Sequence, residues 1–175
     1  YGGIWGAYLP LIDALRNQWL DTLEADGGPK SVRELVDGLI RTSIQTDNIP
    51  GLESYNRFVV MLAMTHRRFF METLGGRWNS SYLRCLDHLR RLMPDMPPAL
   101  KSQRFIFLGQ SLGAVLAARE AELADQSRPH RTWGSESTLD HFALTLTAML
   151  EAPPEHADAP HGKGPALRVY GHIAV

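Results

Sequence analysis

The stretch that decides the fold is residues 99–124, ALKSQRFIFLGQSLGAVLAAREAELA. Its main apolar stripe recurs every three or four residues, as one face of an α-helix does, and consists of Phe105, Leu108, Leu112 and Leu116. A second stripe of small residues lies beside it: Gly113, Ala117 and Ala121. The pattern predicts one long helix that packs against two partners.

The same three-and-four periodicity extends over most of the chain, and strict alternation over more than four residues is hard to find. It predicts helices at about residues 6–26, 31–44, 55–67, 77–93, 99–124 and 135–151, with a shorter one at 68–74. We therefore expect an all-α bundle of about six helices over residues 1–151.

Local signals support the first two helices. The sequence Gly27-Gly28-Pro29 ends the first, and Ser31 with Glu34 forms a capping box that opens the second. The apolar stripe of the first helix is expected at Leu9, Ile12, Leu15, Trp19 and Leu23, with the charged Asp13, Arg16, Asp21 and Glu24 largely off it. The buried face of the second is expected at Val32, Leu35, Val36, Leu39 and Ile40.

Periodicity disappears after Pro153-Pro154, so residues 152–175 are expected to form an irregular tail, in which 167–175 pack as an extended piece. The last helix is expected to be capped by Ser135 or Ser137. Because the chain begins at Tyr1 without an initiator Met or a signal-peptide pattern, we interpret it as part of a longer protein.

Composition bounds the function. The chain has 175 residues, one cysteine and a net charge of -1, which argues against a disulfide scaffold and against a free-standing nucleic-acid-binding domain. No apolar run reaches the length needed to span a bilayer, so no membrane association is expected, and a cytoplasmic location is favoured. The seven histidines and single cysteine lack zinc-site spacing, so neither a metal nor a cofactor is predicted.

One short sequence around Ser111 matches a catalytic pattern. Residues 109–113, GQSLG, match the nucleophile elbow of α/β-hydrolases, with Asp140 and His141 following in the order of a catalytic triad. That fold requires parallel strands upstream, whereas residues 1–104 have helical periodicity. Asp140 and His141 are also adjacent on a predicted helix and point about 100° apart. Ser111 is therefore favoured as a small helix residue, and no enzyme is predicted, although a serine hydrolase stays open as an alternative.

The order of the helices resembles the regulatory domain of TetR-family transcriptional regulators. The resemblance begins with Trp19 to Leu23, the sequence EADGG at 24–28 and the capped helix from Ser31. It continues through the helix ending in LRRLMPDMPP at 89–98, the long helix after it and the closing helix at 137–150. It covers about residues 9–150.

The resemblance implies a ligand-sensing and dimerising domain whose partner is operator DNA, contacted by an N-terminal helix-turn-helix domain that this chain lacks. Members of the family generally repress transcription as homodimers and leave the operator when a small molecule binds. Because the expected pocket lining is mostly apolar, the effector is expected to be a small hydrophobic or aromatic molecule with one or two polar groups. A helical interaction module without a ligand is the remaining alternative.

The sequence also predicts which residues form the two sites. An aromatic and sulfur-bearing set from several helices is expected to line an effector pocket, with His66, Trp78 and Tyr82 orienting the ligand. The expected lining residues are Trp19, Leu35, Leu39, Phe58, Leu62, His66, Trp78, Tyr82, Cys85, Phe105 and Leu108. We expect Trp19, on the first helix, to transmit the ligand's effect toward the missing DNA-binding unit.

The last two helices are expected to form the dimer interface as a four-helix bundle across a two-fold axis, because small side chains allow close helix approach. The expected interface residues are Gln110, Gly113, Ala114, Ala117, Ala121, His141, Leu144, Thr145 and Ala148.

Overall fold

The computed structural model describes residues 2–45, 49, 52–74 and 78–154, and this part of the chain contains seven helices and no strand. The helices are α1 (Gly2–Ala25), α2 (Val32–Ile44), α3 (Tyr55–Thr65), α4 (Arg67–Leu74), α5 (Ser80–Leu92), α6 (Pro98–Ala124) and α7 (Glu136–Glu151). The prediction of an all-α bundle is confirmed. The expected tail lies beyond Pro154, outside the described residues, apart from its first three positions.

Several helix ends differ from the prediction. Helix α1 begins at Gly2 and runs through Pro10, although proline lacks the N–H that would bond to the carbonyl four residues earlier. Helix α3 ends at Thr65, since His66 has left the helical region at φ -128° and ψ 46°. Helix α6 begins at Pro98, a residue suited to a first helical position because its missing N–H would have no helical partner.

The turn between α1 and α2 follows its sequence signals closely. Gly27 and Gly28 both have positive φ, and their N–H groups donate to the carbonyls of Glu24 and Leu23. The Ser31 hydroxyl accepts from the Glu34 N–H at 3.1 Å, and the Glu34 carboxylate accepts from the Lys30 N–H at 2.7 Å. The capping box therefore forms, with its return bond one residue earlier than in the standard arrangement.

Two clusters of buried side chains hold the helices together. The larger cluster draws on α1, α2, α5, α6 and α7 and includes the whole predicted buried face of α2. The smaller cluster joins the beginning of α1 to α3 and α4 and consists of Leu9, Val59, Leu62 and Phe70. Both clusters lie against α1, so this helix links the two parts of the core.

Buried carboxylates cap two helices from a distance. Ser54 and Asn79 stand at the N-caps of α3 and α5, but neither side chain caps its own helix. Glu120 of α6 instead accepts from the N–H groups of Asn56 and Arg57 at the start of α3, at 2.8 and 2.9 Å. These bonds satisfy helix-end donors that would otherwise be buried without partners.

Asp13 of α1 plays the same part for α5. One of its carboxylate oxygens accepts from the Ser81 N–H at 2.8 Å, and the other accepts from the Ser80 hydroxyl at 2.7 Å. The prediction that Asp13 and Arg16 lie off the buried face of α1 is wrong: both are buried, at 9% and 8% exposure. The side-chain hydrogen bonds that each makes to neighbouring helices offset the cost of burial.

Candidate functional site

The residues predicted to line an effector pocket fall into the two core clusters. Those in or packed against the larger cluster are Trp19, Leu35, Leu39, Tyr82, Cys85, Phe105 and Leu108. Those in or packed against the smaller cluster are Phe58, Leu62 and Trp78. His66, expected to orient the ligand, is exposed at the C-cap of α3. The structure thus places ten of these side chains in or against the core and His66 at the surface.

A polar centre that the sequence analysis missed lies where α1, α2 and α5 meet. The buried Arg16 donates from Nε to the Thr42 hydroxyl at 3.2 Å and from Nη2 to the Ser43 hydroxyl at 3.1 Å. On α5, the hydroxyls of Ser81 and Tyr82 are buried without a hydrogen-bond partner among the described residues. Unpaired buried hydroxyls are uncommon because each loses its hydration.

Burial also controls the titration of two side chains here. It raises the pKa of the Tyr82 hydroxyl well above its ordinary value, and the nearby charge of Arg16 opposes that rise. It raises the pKa of the Cys85 thiol to about 11, again opposed mainly by Arg16. Since a thiol reacts as the thiolate, Cys85 is protonated and unreactive at neutral pH. Its role in the described structure is to fill the core.

A groove of about 500 Å³ lies along the junction of α1 and α2. Its walls consist of Leu15, Gln18, Trp19 and Thr22 on α1, with Glu34, Asp37, Gly38, Arg41 and Thr42 on α2 and the adjoining Gln45. Of the eleven residues predicted to bind ligand, this groove includes Trp19. Thr42, which accepts the hydrogen bond from Arg16 Nε, also borders it.

A second concavity, of about 380 Å³, lies at the end of α1. His88 and Arg91 of α5 form one side, and the Gly27-Gly28 turn forms another. Glu24 also lines this concavity and bonds to the His88 ring at 2.7 Å. The hydrogen bonds from His88 and then Arg84 hold the pKa of Glu24 below its ordinary value. The polar groups of this concavity therefore satisfy one another.

The predicted dimer residues lie mostly on the outer faces of α6 and α7. The exposed ones are Gln110, Ala114, Ala121, His141, Leu144, Thr145 and Ala148, and Ala117 is partly exposed. The same outer face of α6 also exposes Phe107, at 55%, beside Ile106 at 50%. None of these residues is Asp, Glu, Lys or Arg, so a broad uncharged strip runs along both helices.

Gly113 is placed differently. It is buried, and a Cβ atom at this position would lie 3.3 Å from Cγ2 of Val60. The small residue therefore lets α3 approach α6 within the same chain. The prediction that Gly113 contributes to the dimer interface is wrong, because a stripe of small residues does not show whether the neighbouring helix belongs to the same chain. The other residues predicted for the interface are exposed or partly exposed, whereas Gly113 faces inward.

The hydrolase-like sequence GQSLG at 109–113 lies in the middle of α6, a continuous helix of 27 residues. A nucleophile elbow requires a sharp turn between a strand and a helix, and this geometry does not form at Ser111. Gly109 is buried on the core side of α6. The pattern is thus explained by packing of small residues within a helix.

In the described part of the chain, no group of three or more His, Cys, Asp or Glu side chains is arranged to hold a metal ion. None of the described helices combines the length and the apolarity needed to cross a bilayer. Comparison with known proteins found no matching family model, no similar curated protein and no similar solved structure.

Proposed function

We propose that this chain is the regulatory domain of a TetR-type DNA-binding transcriptional regulator, which dimerises and binds a small effector. In this proposal the operator is contacted by an N-terminal helix-turn-helix domain outside the chain. The effector is a small hydrophobic or aromatic molecule, and its binding releases the repressor from DNA. The chain performs no covalent chemistry, and the protein acts in the cytoplasm.

The observation that supports this function best is the uncharged outer strip on α6 and α7. The two helices pack against each other, and each presents small or apolar side chains outward in helical register. Phe107 and Leu144 expose more than half of their surface, which is unfavourable unless another surface covers them. A second copy related by a two-fold axis would bring four helices together and bury both strips.

The order of the helices adds to this support. Helix α1 enters the domain first and touches both core clusters, so a change in either cluster can reach the segment that would precede it. The resemblance described above places the DNA-binding unit before this helix. The resemblance assigns dimerisation to the two closing helices, which are α6 and α7 in this chain.

The test of dimerisation is Ala114→Glu, which places one charge per chain in the middle of the exposed strip. We expect the parent chain to be a dimer by multi-angle light scattering at micromolar concentration and the variant to be a monomer. Two-fold symmetry brings two uncompensated charges into one interface, which costs several kcal/mol. The matched control is Ala14→Glu, an exposed alanine on α1, which should remain a dimer.

The regulatory part of the proposal needs the full-length protein. Selection from a random double-stranded DNA library should enrich a palindromic site for the parent, since a two-fold dimer binds two half-sites. Ala114→Glu should lose this enrichment and Ala14→Glu should retain it. A parent chain that is monomeric would contradict the interface, and a dimer that enriches no DNA would favour the helical interaction module instead.

A further inference from the structure

The groove between α1 and α2 has the size and an aromatic wall suited to a small organic ligand. Its volume of about 500 Å³ lies within the common range of ligand sites, roughly 300–1,000 Å³. The indole of Trp19 lies directly against the backbone of Gly38: a Cβ atom at residue 38 would be 2.0 Å from Cζ2 of the ring. Gly38 therefore permits the close packing that makes Trp19 a wall of the groove.

The charges around the groove favour a cation. Glu34 and Asp37 stand on the α2 wall three residues apart, which places them on the same side of the helix. Arg41 is the cationic residue of the groove lining, and it already bonds to Asp37 at 2.7 Å. The lining thus has one more carboxylate than guanidinium.

Two acidic residues of α7 keep this excess of one carboxylate in the wider region. Arg41 also bonds to Glu136 at 3.0 Å and to Asp140 at 3.1 Å, so three carboxylates share its charge. Arg33 of α2 donates to the Asp140 carbonyl. Counting Glu34, the region has four carboxylates and three guanidinium groups, because the buried Arg16 donates to Thr42 of the groove wall. A negative potential beside an indole attracts organic cations and repels anions.

The groove also touches the connection between α1 and α2. Thr42 lines the groove and accepts the hydrogen bond from the buried Arg16, and this bond ties α1 to α2. A ligand that presses between the two helices therefore acts on the helix that leads toward the expected DNA-binding unit. Thr42 therefore connects the groove wall to α1 through Arg16.

We propose that the α1–α2 groove binds an aromatic organic cation, with the ring against Trp19 and the ammonium group near Glu34 and Asp37. The inference deepens the proposed regulatory function and rests on it for the biological role of the ligand. The α1–α2 groove differs from the pocket predicted from the sequence, of whose eleven residues it includes Trp19.

Three probes with one ring system test the charge preference: 2-naphthylmethylammonium, 2-naphthylmethanol and 2-naphthoate. Isothermal titration calorimetry with the whole chain at pH 7 should show the cation binding at least tenfold more tightly than the alcohol. The naphthoate should bind more weakly than the alcohol. Tightest binding of the naphthoate, or equal binding of all three, would overturn the proposal.

Variants locate the site. Asp37→Asn should weaken binding of the cation about 3- to 10-fold and leave binding of the alcohol unchanged. The matched control, Asp87→Asn, removes an exposed carboxylate on α5 that is paired with Arg90, and should change neither affinity. Equal effects of the two variants would show that only overall charge matters and would contradict the groove.

Gly38→Ala supplies an independent test, because the added methyl group would displace Trp19. Provided that circular dichroism shows the parent helix content, the variant should bind neither the cation nor the alcohol. The operator-selection test and the ligand-binding test can fail independently. Cation binding by a protein that enriches no operator would leave the groove intact, whereas operator enrichment without cation binding would refute the groove alone.

Discussion

Carboxylates join helices in two regions of this protein, and their surroundings differ sharply. In the interior, Glu120 is 4% exposed and accepts from two backbone N–H groups of α3 and from the Asn56 amide at 2.7 Å. At the surface, the Glu24 side chain is 40% exposed and bonds to Arg84 and His88 of α5. Both arrangements satisfy hydrogen-bond donors across a helix pair.

The difference shows that burial, more than the number of bonds, decides what a carboxylate contributes. If Glu120 is lost, water cannot easily reach the donors that it leaves behind, so their full desolvation cost remains. If Glu24 is lost, Arg84 keeps Asp21 as an ionic partner, and the side chain that is removed was itself 40% exposed. Exposed ion pairs contribute at most about 1 kcal/mol because solvent screens the charges and holding the side chains costs entropy.

The largest expected effect comes from Glu120→Ala. It should lower the free energy of unfolding by about 3–5 kcal/mol, because the α3 N-terminus and the Asn56 amide lose a buried acceptor. Urea unfolding followed by circular dichroism measures this loss. The matched control is Glu122→Ala on the same helix, where a carboxylate 35% exposed pairs with Arg128 and His130. This variant should lose less than about 1 kcal/mol. Similar losses in both variants would contradict the distinction.

Asp13→Ala should have an intermediate effect. The Ser81 N–H and the Ser80 hydroxyl lose their acceptor, which should cost about 1–3 kcal/mol. Asp21→Ala, on the same helix with a side chain 68% exposed, is the control and should change stability by less than about 1 kcal/mol. Urea unfolding measures both variants. If Asp21→Ala lowers the free energy of unfolding as much as Asp13→Ala does, the capping of α5 by Asp13 adds no more stability than an exposed ion pair.

Helix spacing contained part of the information about these buried groups. Asp13 follows Leu9 by four residues, and Arg16 stands four residues before Leu20, so both share the buried side of α1. Their charge, rather than their position, excluded them from the predicted core. Spacing could not reveal their partners, because Thr42, Ser43 and residues 80–81 are distant in sequence and meet only after the helices pack.

The fold was therefore more predictable than the site. Periodicity in α2 predicted its buried face correctly, because an amphipathic helix needs no knowledge of its neighbours. Gly113 shows the limit: a small residue signals close helix approach, but Val60 of the same chain is the neighbour that approaches it. The α1–α2 groove depends on the contact between Trp19 of α1 and Gly38 of α2. Sequence spacing alone does not specify this contact.

The smallest expected effect is the pH dependence of Glu24. Hydrogen bonds from His88 and then Arg84 lower its pKa in the folded protein below the ordinary value of 4.5. A lowered acid pKa stabilises the fold above the unfolded-state pKa, and that contribution disappears as the pH falls through the folded-state pKa. The difference in unfolding free energy between the parent and Glu24→Gln should therefore be largest near pH 7, at most about 1 kcal/mol, and should shrink below about pH 4.5.

The control is the same Glu24→Gln substitution in a protein that also carries Arg84→Ala and His88→Ala. It should show little of this pH dependence, because the donors that favour the charged carboxylate are absent. Urea titrations at pH 7, 5, 4 and 3 measure both differences. A gap between parent and variant that stays constant down to pH 3 would mean that the surface pair does not favour the ionised form of Glu24.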